Sequence, residues 1–140
     1  MKLEEDKSGD VFIRSVQMHP PSIIMFSDFQ IRAFNFCSKN DIVYFDATGS
    51  IIKSDAFLKD FQVYTLLVRN PTRGELSLPL ATLLSNSHNH NITIGHFLET
   101  FQRHRTELAR RAKTPGPKRI VIDGSYVMWN ATLWSLHLPI

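Results

Sequence analysis

Two short apolar runs, each followed by an aspartate, dominate the pattern of hydrophobic and polar positions along this chain. Residues 42–45 precede Asp46, and residues 120–122 precede Asp123. Continuous runs of β-branched and aromatic residues are typical of strands that are covered on both faces. Small and hydroxyl residues follow each aspartate, so we expect the first strand to stop at a turn around Gly49. The pattern therefore predicts two buried strands, each with a carboxylate at its end.

The segment before the first run carries signals for two strands and a helix. Residues 11–16 and 22–26 have the composition of short strands, and the proline pair that begins at Pro20 excludes a helix between them. Ser27 is a candidate N-cap, with an acidic residue in the first turn, for a mostly apolar helix over residues 29–37. We expect this helix to lead directly into the first buried strand.

The segment after the first run predicts an antiparallel meander of three strands. Residues 50–53 lie too close to the first strand for a crossover connection, so we expect them to pair with it through a hairpin. Residues 61–69 form the longest strand candidate and end at an Asn-Pro turn signal. Residues 76–84 are apolar on either side of Pro79 and predict either a short fourth pairing element or an irregular crossing.

The pattern then becomes helical between residues 93 and 112. Apolar residues recur at helical spacing, with Arg105 as the one charged intrusion, and Asn91 or Thr93 can cap the helix. The apolar stripe consists of Ile94, Phe97, Leu98, Phe101, Leu108 and Ala112. Because the second aspartate-ended run follows, this helix is predicted to be the crossover that returns the chain parallel to the first strand. A last helix over residues 126–136 is apolar on nearly every side.

Composition indicates one globular domain. The chain has 140 residues, 43% of them hydrophobic, and a formal net charge of +3 with a pI near 9.2, which permits a polyanionic partner without requiring one. No apolar run reaches the ~18 residues of a membrane span, and the single Cys37 cannot form an internal disulfide, so an intracellular protein without a membrane partner is expected. We divide the chain into a disordered terminus at 1–10, N-terminal strands and a helix at 11–40, and the main domain at 41–140.

Two carboxylates at adjoining strand ends are the central chemical hypothesis. The carboxyl ends of parallel strands lie at one edge of a sheet, so Asp46 and Asp123 are expected to converge. Oxygen ligands on rigid elements suit Mg²⁺ or Mn²⁺ and leave positions for water and phosphate oxygens, as phosphodiester cleavage requires. An aspartate after a strand also commonly forms a turn or caps a helix, and this structural explanation stays open for both residues.

Six short segments, taken in order, carry a resemblance to a known family. They are Tyr44 to Ile51, Tyr64 to Val68, Leu78 to Ala81, Ile94 to Phe101, Val121 to Ser125, and Asn130-Ala131. Over roughly residues 20–137 this set resembles the front of the catalytic domain of Mutator-like (MULE) transposases. Such domains have an RNase H-like fold shared with retroviral integrases. The resemblance implies an α/β domain with a mixed sheet, built from an antiparallel three-strand meander, a crossover helix and a parallel strand.

The same resemblance implies metal and catalytic roles for both aspartates. Asp46 matches the first metal-binding aspartate of the family and Asp123 the second, with Mg²⁺ or Mn²⁺ as the implied cofactor. The third acidic residue of the family lies on a later helix, and this chain ends before it, which implies a C-terminally truncated and catalytically incomplete fragment. Gly124 stands where a bulkier residue is common. We expect no substitute for the third acid among Asp55, Asp60, Glu75, Glu99 and Glu107.

A basic cluster extends from the long helix to the second aspartate-ended run. It consists of Arg103, Arg105, Arg110, Arg111, Lys113, Lys118 and Arg119. Arginine suits phosphate contacts, so the cluster is a candidate nucleic-acid interface with strong salt dependence and weak sequence selectivity. A solvated helix face is the simpler explanation of the same residues. His88, His90 and His96 are weaker metal candidates, because they lack the Cys or acidic partners that usually complete a zinc site.

Three functional hypotheses follow from the sequence. The first is a transposase-derived fragment that binds DNA or a partner chain completing its sheet, in the nucleus as the family resemblance implies. The second rests on residues 46–50, which also resemble the phosphorylated-aspartate motif of haloacid-dehalogenase-type phosphatases. In this hypothesis Asp46 is the nucleophile, and Thr48 replaces the general acid that this motif carries two residues later. The third is a non-catalytic interaction or DNA-binding module in which both aspartates are structural.

Overall fold

The described part of the chain contains six strands and two helices. The computed structural model describes residues 11–18, 21–37, 42–52, 61–69, 77–86, 90–109, 117 and 119–122. In chain order the elements are β1 (Ile13–Met18), β2 (Pro21–Met25), α1 (Asp28–Cys37), β3 (Val43–Ile52), β4 (Phe61–Val68), β5 (Leu78–Ser85), α2 (His90–Ala109) and β6 (Ile120–Ile122).

The six described strands form one mixed sheet in the order β1-β2-β5-β4-β3-β6. Neighbouring strands are antiparallel except β3 and β6, which are parallel. The strands β3, β4 and β5 form an antiparallel meander, and the chain passes through α2 between β5 and β6. The predicted α/β class with a mixed sheet is confirmed, and β1 and β2 extend the sheet beyond β5.

The predicted end of the first buried strand at Gly49 is wrong. β3 continues to Ile52, because its pairing with β4 extends past Asp46 through the next two residues and resumes at Ile52. A register shift after Thr48 marks the irregular part of this pairing. Residues 50–52 therefore belong to β3 and not to a separate hairpin strand, and β5 is the third strand of the meander.

The segment around Pro79 forms a regular strand with one bulge. Leu66 pairs with Ala81 and Leu67 pairs with Pro79, which leaves Leu80 as an extra residue on β5. A bulge is one of the few places where a strand tolerates proline, because proline donates no backbone hydrogen bond. Leu80 and Ala81 are both buried although they are consecutive, as expected when the bulge interrupts the alternation.

One face of the sheet carries both helices and the hydrophobic core. On this face Phe45 and Leu66, from the paired strands β3 and β4, are at most 1% exposed. Phe34 of α1 meets Phe101 of α2 edge to face, with ring centroids 5.0 Å apart. Phe26, just after β2, makes a second edge-to-face contact with Phe101 at 5.2 Å. The core therefore joins both helices to the sheet.

The long helix begins earlier than its sequence pattern predicted. α2 starts at His90, so the expected caps Asn91 and Thr93 lie inside the helix and that prediction is wrong. The predicted stripe is buried at Ile94, Phe97, Leu98 and Phe101. The predicted helix over residues 126–136 and the predicted disordered terminus at 1–10 lie outside the described residues.

Arg105, the charged intrusion in this stripe, is buried between α1 and α2. The residue is 1% exposed. Its Nε donates to Asn35 Oδ1 at 2.9 Å and its Nη1 donates to Gln102 Oε1 at 2.7 Å. The guanidinium also lies 4.5 Å from the ring centroid of Phe34. Because burial penalises the charged form, the pKa of Arg105 is lowered to about 10.

Ser27 caps α1 as the sequence predicted. Ser27 Oγ accepts a hydrogen bond from the backbone N–H of Gln30 at 3.2 Å, and Gln30 Oε1 accepts one from the N–H of Ser27 at 2.8 Å. This reciprocal pair is a capping box. Gln30 Nε2 also donates to the carbonyl of Pro79 at 3.1 Å, and Asp28 pairs with Arg14 at 2.8 Å. The first turn of α1 is therefore tied to both β5 and β1.

Replacing Ser27 with alanine is expected to lower the free energy of unfolding by about 1 kcal/mol, because the first turn loses a hydrogen-bond acceptor. Ser27→Asp should retain most of the stability, since a carboxylate accepts the same bond and favours a helix N-terminus. Urea unfolding followed by circular dichroism measures both variants. Equal losses in the two variants would contradict the capping role.

Candidate metal and substrate site around Asp46

Asp46 lies inside β3 and not at a strand end. It is the fourth of ten residues in this strand and pairs with Thr65 on β4. Its side chain is exposed, whereas its neighbour Phe45 is buried in the core. Aspartate is depleted in strands, and a paired strand position is neither a turn nor a helix cap. The structural explanation, in which an aspartate after a strand forms a turn or caps a helix, therefore does not fit the position of Asp46.

The parallel pairing of β3 with β6 leads up to both aspartates. Tyr44 pairs with Val121, and Phe45 pairs with Ile122. The described pairing stops there, one residue before Asp46 on β3 and one residue before Asp123 in the sequence. Asp123 itself lies outside the described residues.

A cleft of about 420 Å³ opens beside Asp46. Its lining residues come from β3, β4, β6 and the position before β5, and are Tyr44, Phe45, Asp46, Leu67, Ser77, Val121 and Ile122. Alternation along β3 places the side chains of Tyr44 and Asp46 on the face opposite to that of Phe45. Phe45 packs towards α2, with its ring centroid 6.1 Å from that of Phe97. The cleft therefore lies on the face of the sheet opposite to α1 and α2.

The sequence pattern alone did not identify the side chains that accompany Asp46 in this cleft. Tyr44 could have been found, because it lies two residues before Asp46 on a strand and so shares its face. Leu67 and Val121 depend on the register of β4 and β6 with β3. Ser77 depends on where β5 begins.

The Asp46 carboxylate has no protein partner within the part of the chain that the structure describes: no residue there donates a hydrogen bond to it or forms an ion pair with it. Its oxygens are therefore available to solvent or to a cation. The described residues contain no group of three or more His, Cys, Asp or Glu side chains that could hold a metal ion. Among the residues that line the cleft, Asp46 alone carries a carboxylate.

The basic cluster is only partly a surface feature. Arg103 on α2 and Arg119 before β6 are exposed. The backbone carbonyl of Arg119 accepts a hydrogen bond from Val43 at 3.1 Å, which fixes the start of β6 against β3. Arg105 is buried, so its predicted contact with nucleic acid is wrong. The remaining members lie outside the described residues: Arg110, Arg111, Lys113 and Lys118.

The histidine candidates do not form a metal site within the described residues. His96 on α2 has a buried Nε2 with no hydrogen-bond partner there, and the same holds for Oγ1 of Thr100, one helical turn later. The side chain of His90, at the start of α2, is not described, and His88 lies outside the described range.

The acids considered as substitutes for a third metal ligand do not line the described cleft. Glu99 and Glu107 are exposed on α2, the helix that packs on the core face of the sheet. Asp55, Asp60 and Glu75 lie outside the described residues.

Comparisons with known proteins add no family to this geometry. None of the protein-family models, curated proteins or solved structures compared with the chain matches it. Of the helices that the structure describes, neither combines the length and the apolar character needed to cross a membrane.

Proposed function

We propose that this chain is a transposase-derived RNase H-like domain in which Asp46 and Asp123 share a divalent cation beside a DNA phosphate. The observation that carries the proposal is the exposed Asp46 carboxylate, which lies inside β3 next to the end of the parallel pairing with β6. Phe45 pairs with Ile122, the last described pair of these strands, and in this proposal the same register would continue by one residue and bring Asp46 level with Asp123.

The strand order supports the RNase H-like part of this proposal. The resemblance to MULE transposases implies a three-strand antiparallel meander with a parallel strand added beside its first strand after a crossover helix. The segment β5-β4-β3-β6 has this order and these directions, with α2 in the connection. In this proposal β1 and β2 are additions at the far edge of the meander.

Asp46 and Asp123 would hold Mg²⁺ or Mn²⁺ through carboxylate oxygens on adjacent strands, which is the ligand type that these cations prefer. When bound, such a cation stabilises charge on phosphate oxygens during phosphodiester chemistry. Two carboxylates leave most ligand positions to water, so we expect weak cation binding and no measurable cleavage. The proposed activity is therefore metal-assisted DNA binding without strand cleavage.

Arg119, which directly precedes β6, would supply a contact to the DNA backbone beside the cleft. Arg103, the other exposed member of the basic cluster among the described residues, lies on α2 and not at the cleft. Phosphate contacts of this kind are sensitive to salt and carry little sequence information. A nuclear location, and a partner chain that adds a strand at β6, belong to the same proposal.

A titration of labelled duplex DNA, followed by fluorescence anisotropy, tests this function. At low salt, Mn²⁺ is expected to raise the affinity of the wild-type protein several-fold over that in EDTA, because the cation links the carboxylates to a phosphate. Asp46→Asn should lose this Mn²⁺ dependence and keep the affinity measured in EDTA. Glu99→Gln, which removes an exposed carboxylate on α2, is the matched control and should behave as wild type.

The same Mn²⁺ dependence in wild type and Asp46→Asn would contradict the proposal. Incubation with supercoiled plasmid and Mg²⁺ or Mn²⁺ tests strand cleavage separately. We expect no more nicking by wild type than by Asp46→Ala. Cleavage that Asp46→Ala abolishes would contradict the absence of strand cleavage and assign a catalytic role to Asp46.

An interaction module is the second candidate function, because α1 exposes two aromatic rings. Phe29 and Phe36 are 73% and 76% exposed. They lie seven residues apart and so share one face of the helix. Large exposed apolar side chains that share a face are typical of binding surfaces. Phosphotransfer by Asp46, the second hypothesis from the sequence, gains no support from the described residues.

A further inference from the structure

Three apolar side chains form the floor of the cleft beside Asp46. Tyr44 on β3 pairs with Leu67 on β4 and with Val121 on β6, so the three lie side by side across the sheet. They lie on the face opposite to Phe45 and the helices. Val121 is 49% exposed, and Tyr44 and Leu67 are half-buried. The floor is therefore apolar, partly aromatic and accessible to solvent.

Polar groups flank this floor at both ends along the strand direction. Asp46 lies two residues beyond Tyr44 on β3. Ser77 lies at the opposite end of the floor from Asp46. It directly precedes Leu78, the first residue of β5; Leu78 pairs with Val68, which in turn pairs with Val43 on β3. The cleft volume of about 420 Å³ falls within the range of sites for ligands of nucleotide size, roughly 300–1,000 Å³.

We propose that Tyr44 stacks on an unpaired nucleobase whose strand passes Asp46; the identity of the ligand as a nucleic acid rests on the function proposed above. The phenol ring offers a flat π surface to any base, and Leu67 and Val121 widen the apolar floor around it. A base inside a duplex is covered on both faces by its neighbours and cannot reach such a floor. The substrate class is therefore single-stranded or locally unpaired DNA, bound without base selectivity.

Fluorescence of a short single-stranded oligonucleotide that contains one 2-aminopurine tests this proposal directly. The titration is made in EDTA, so that stacking is measured apart from any cation at Asp46. The wild-type protein is expected to quench the 2-aminopurine, and Tyr44→Leu to raise the Kd about tenfold, because one stacked base is lost. Tyr44→Phe keeps the ring and should stay within about twofold of wild type. Unlabelled duplex should compete less well than unlabelled single strand.

The outcomes separate this proposal from the function on which it rests. Equal Kd values for wild type and Tyr44→Leu, or no quenching by wild type, would overturn the stacking floor, even if Asp46→Asn still removed the Mn²⁺ dependence of DNA binding. A tenfold loss in Tyr44→Leu, with Mn²⁺ dependence that Asp46→Asn leaves unchanged, would support the floor and overturn the cation site. Duplex that competes as well as single strand would overturn the requirement for an unpaired base.

Discussion

Replacing Arg105 with alanine is expected to lower the free energy of unfolding by about 3 kcal/mol. Arg105 is 1% exposed and donates hydrogen bonds to the side-chain oxygens of Asn35 and Gln102. Its guanidinium also packs on the ring of Phe34, at 4.5 Å from the centroid. Alanine would leave a cavity between α1 and α2 and two acceptors without their donor. Urea unfolding, with the m-value checked for two-state behaviour, measures the loss.

Two further substitutions separate the buried contacts of Arg105 from a general effect of charge. Arg103→Ala removes an exposed arginine two residues earlier on the same helix, and should change stability by no more than about 0.5 kcal/mol. Arg105→Met should cost less than Arg105→Ala, because methionine fills much of the volume and carries no charge to desolvate. Similar losses for Arg103→Ala and Arg105→Ala would contradict the buried role of Arg105.

Arg105 also shows how far hydrophobic periodicity predicts burial. Its position in the stripe of α2 placed it on the buried side of the helix, yet its charge suggested a surface role in nucleic-acid binding. The side chain is accommodated because Asn35 on α1, seventy positions earlier, supplies an acceptor. This hydrogen bond forms only when α1 and α2 pack together, so no local sequence pattern predicts it.

The predicted ends of helices and strands are correct where neighbouring residues determine them and wrong where pairing with another strand determines them. The helix cap at Ser27 follows from residues within one turn, and it is present as predicted. Gly49 was expected to end β3, but pairing with β4 carries the strand to Ile52. Pro79 made its segment ambiguous, and the bulge opposite Leu66 and Leu67 resolves it as a strand. These outcomes depend on partners distant in sequence, which override local propensity.

The sequence predicted the polar residue of the candidate site but not the apolar residues that form its floor. Asp46 stood out because a carboxylate interrupts an apolar run. The floor at Tyr44 requires the registers that place Leu67 and Val121 on either side of it. Those registers depend on the order of β4, β3 and β6 in the sheet, which the sequence pattern does not give. In the sequence, the apolar residues of the floor therefore cannot be distinguished from core residues.

Asp46→Asn and Asp123→Asn are each expected to weaken Mn²⁺ binding by roughly tenfold or more, because each removes one of two charged ligands. Neither change should lower stability by more than about 0.5 kcal/mol if the carboxylates serve the cation and not the fold. Isothermal titration with Mn²⁺ measures the affinity, and circular dichroism checks that each variant is folded. Glu107→Gln, an exposed carboxylate on α2, should bind Mn²⁺ as wild type does.

A double-mutant cycle on this Mn²⁺ affinity tests most directly whether Asp46 and Asp123 share one cation. If they do, the wild type binds one Mn²⁺, each single variant binds it more weakly through the remaining carboxylate, and the double variant shows no measurable binding. Two Mn²⁺ equivalents in the wild type, with one of them kept at unchanged affinity in each single variant, would mean that the two carboxylates act at separate sites. Mn²⁺ binding that is unchanged in both single variants would contradict a shared cation outright.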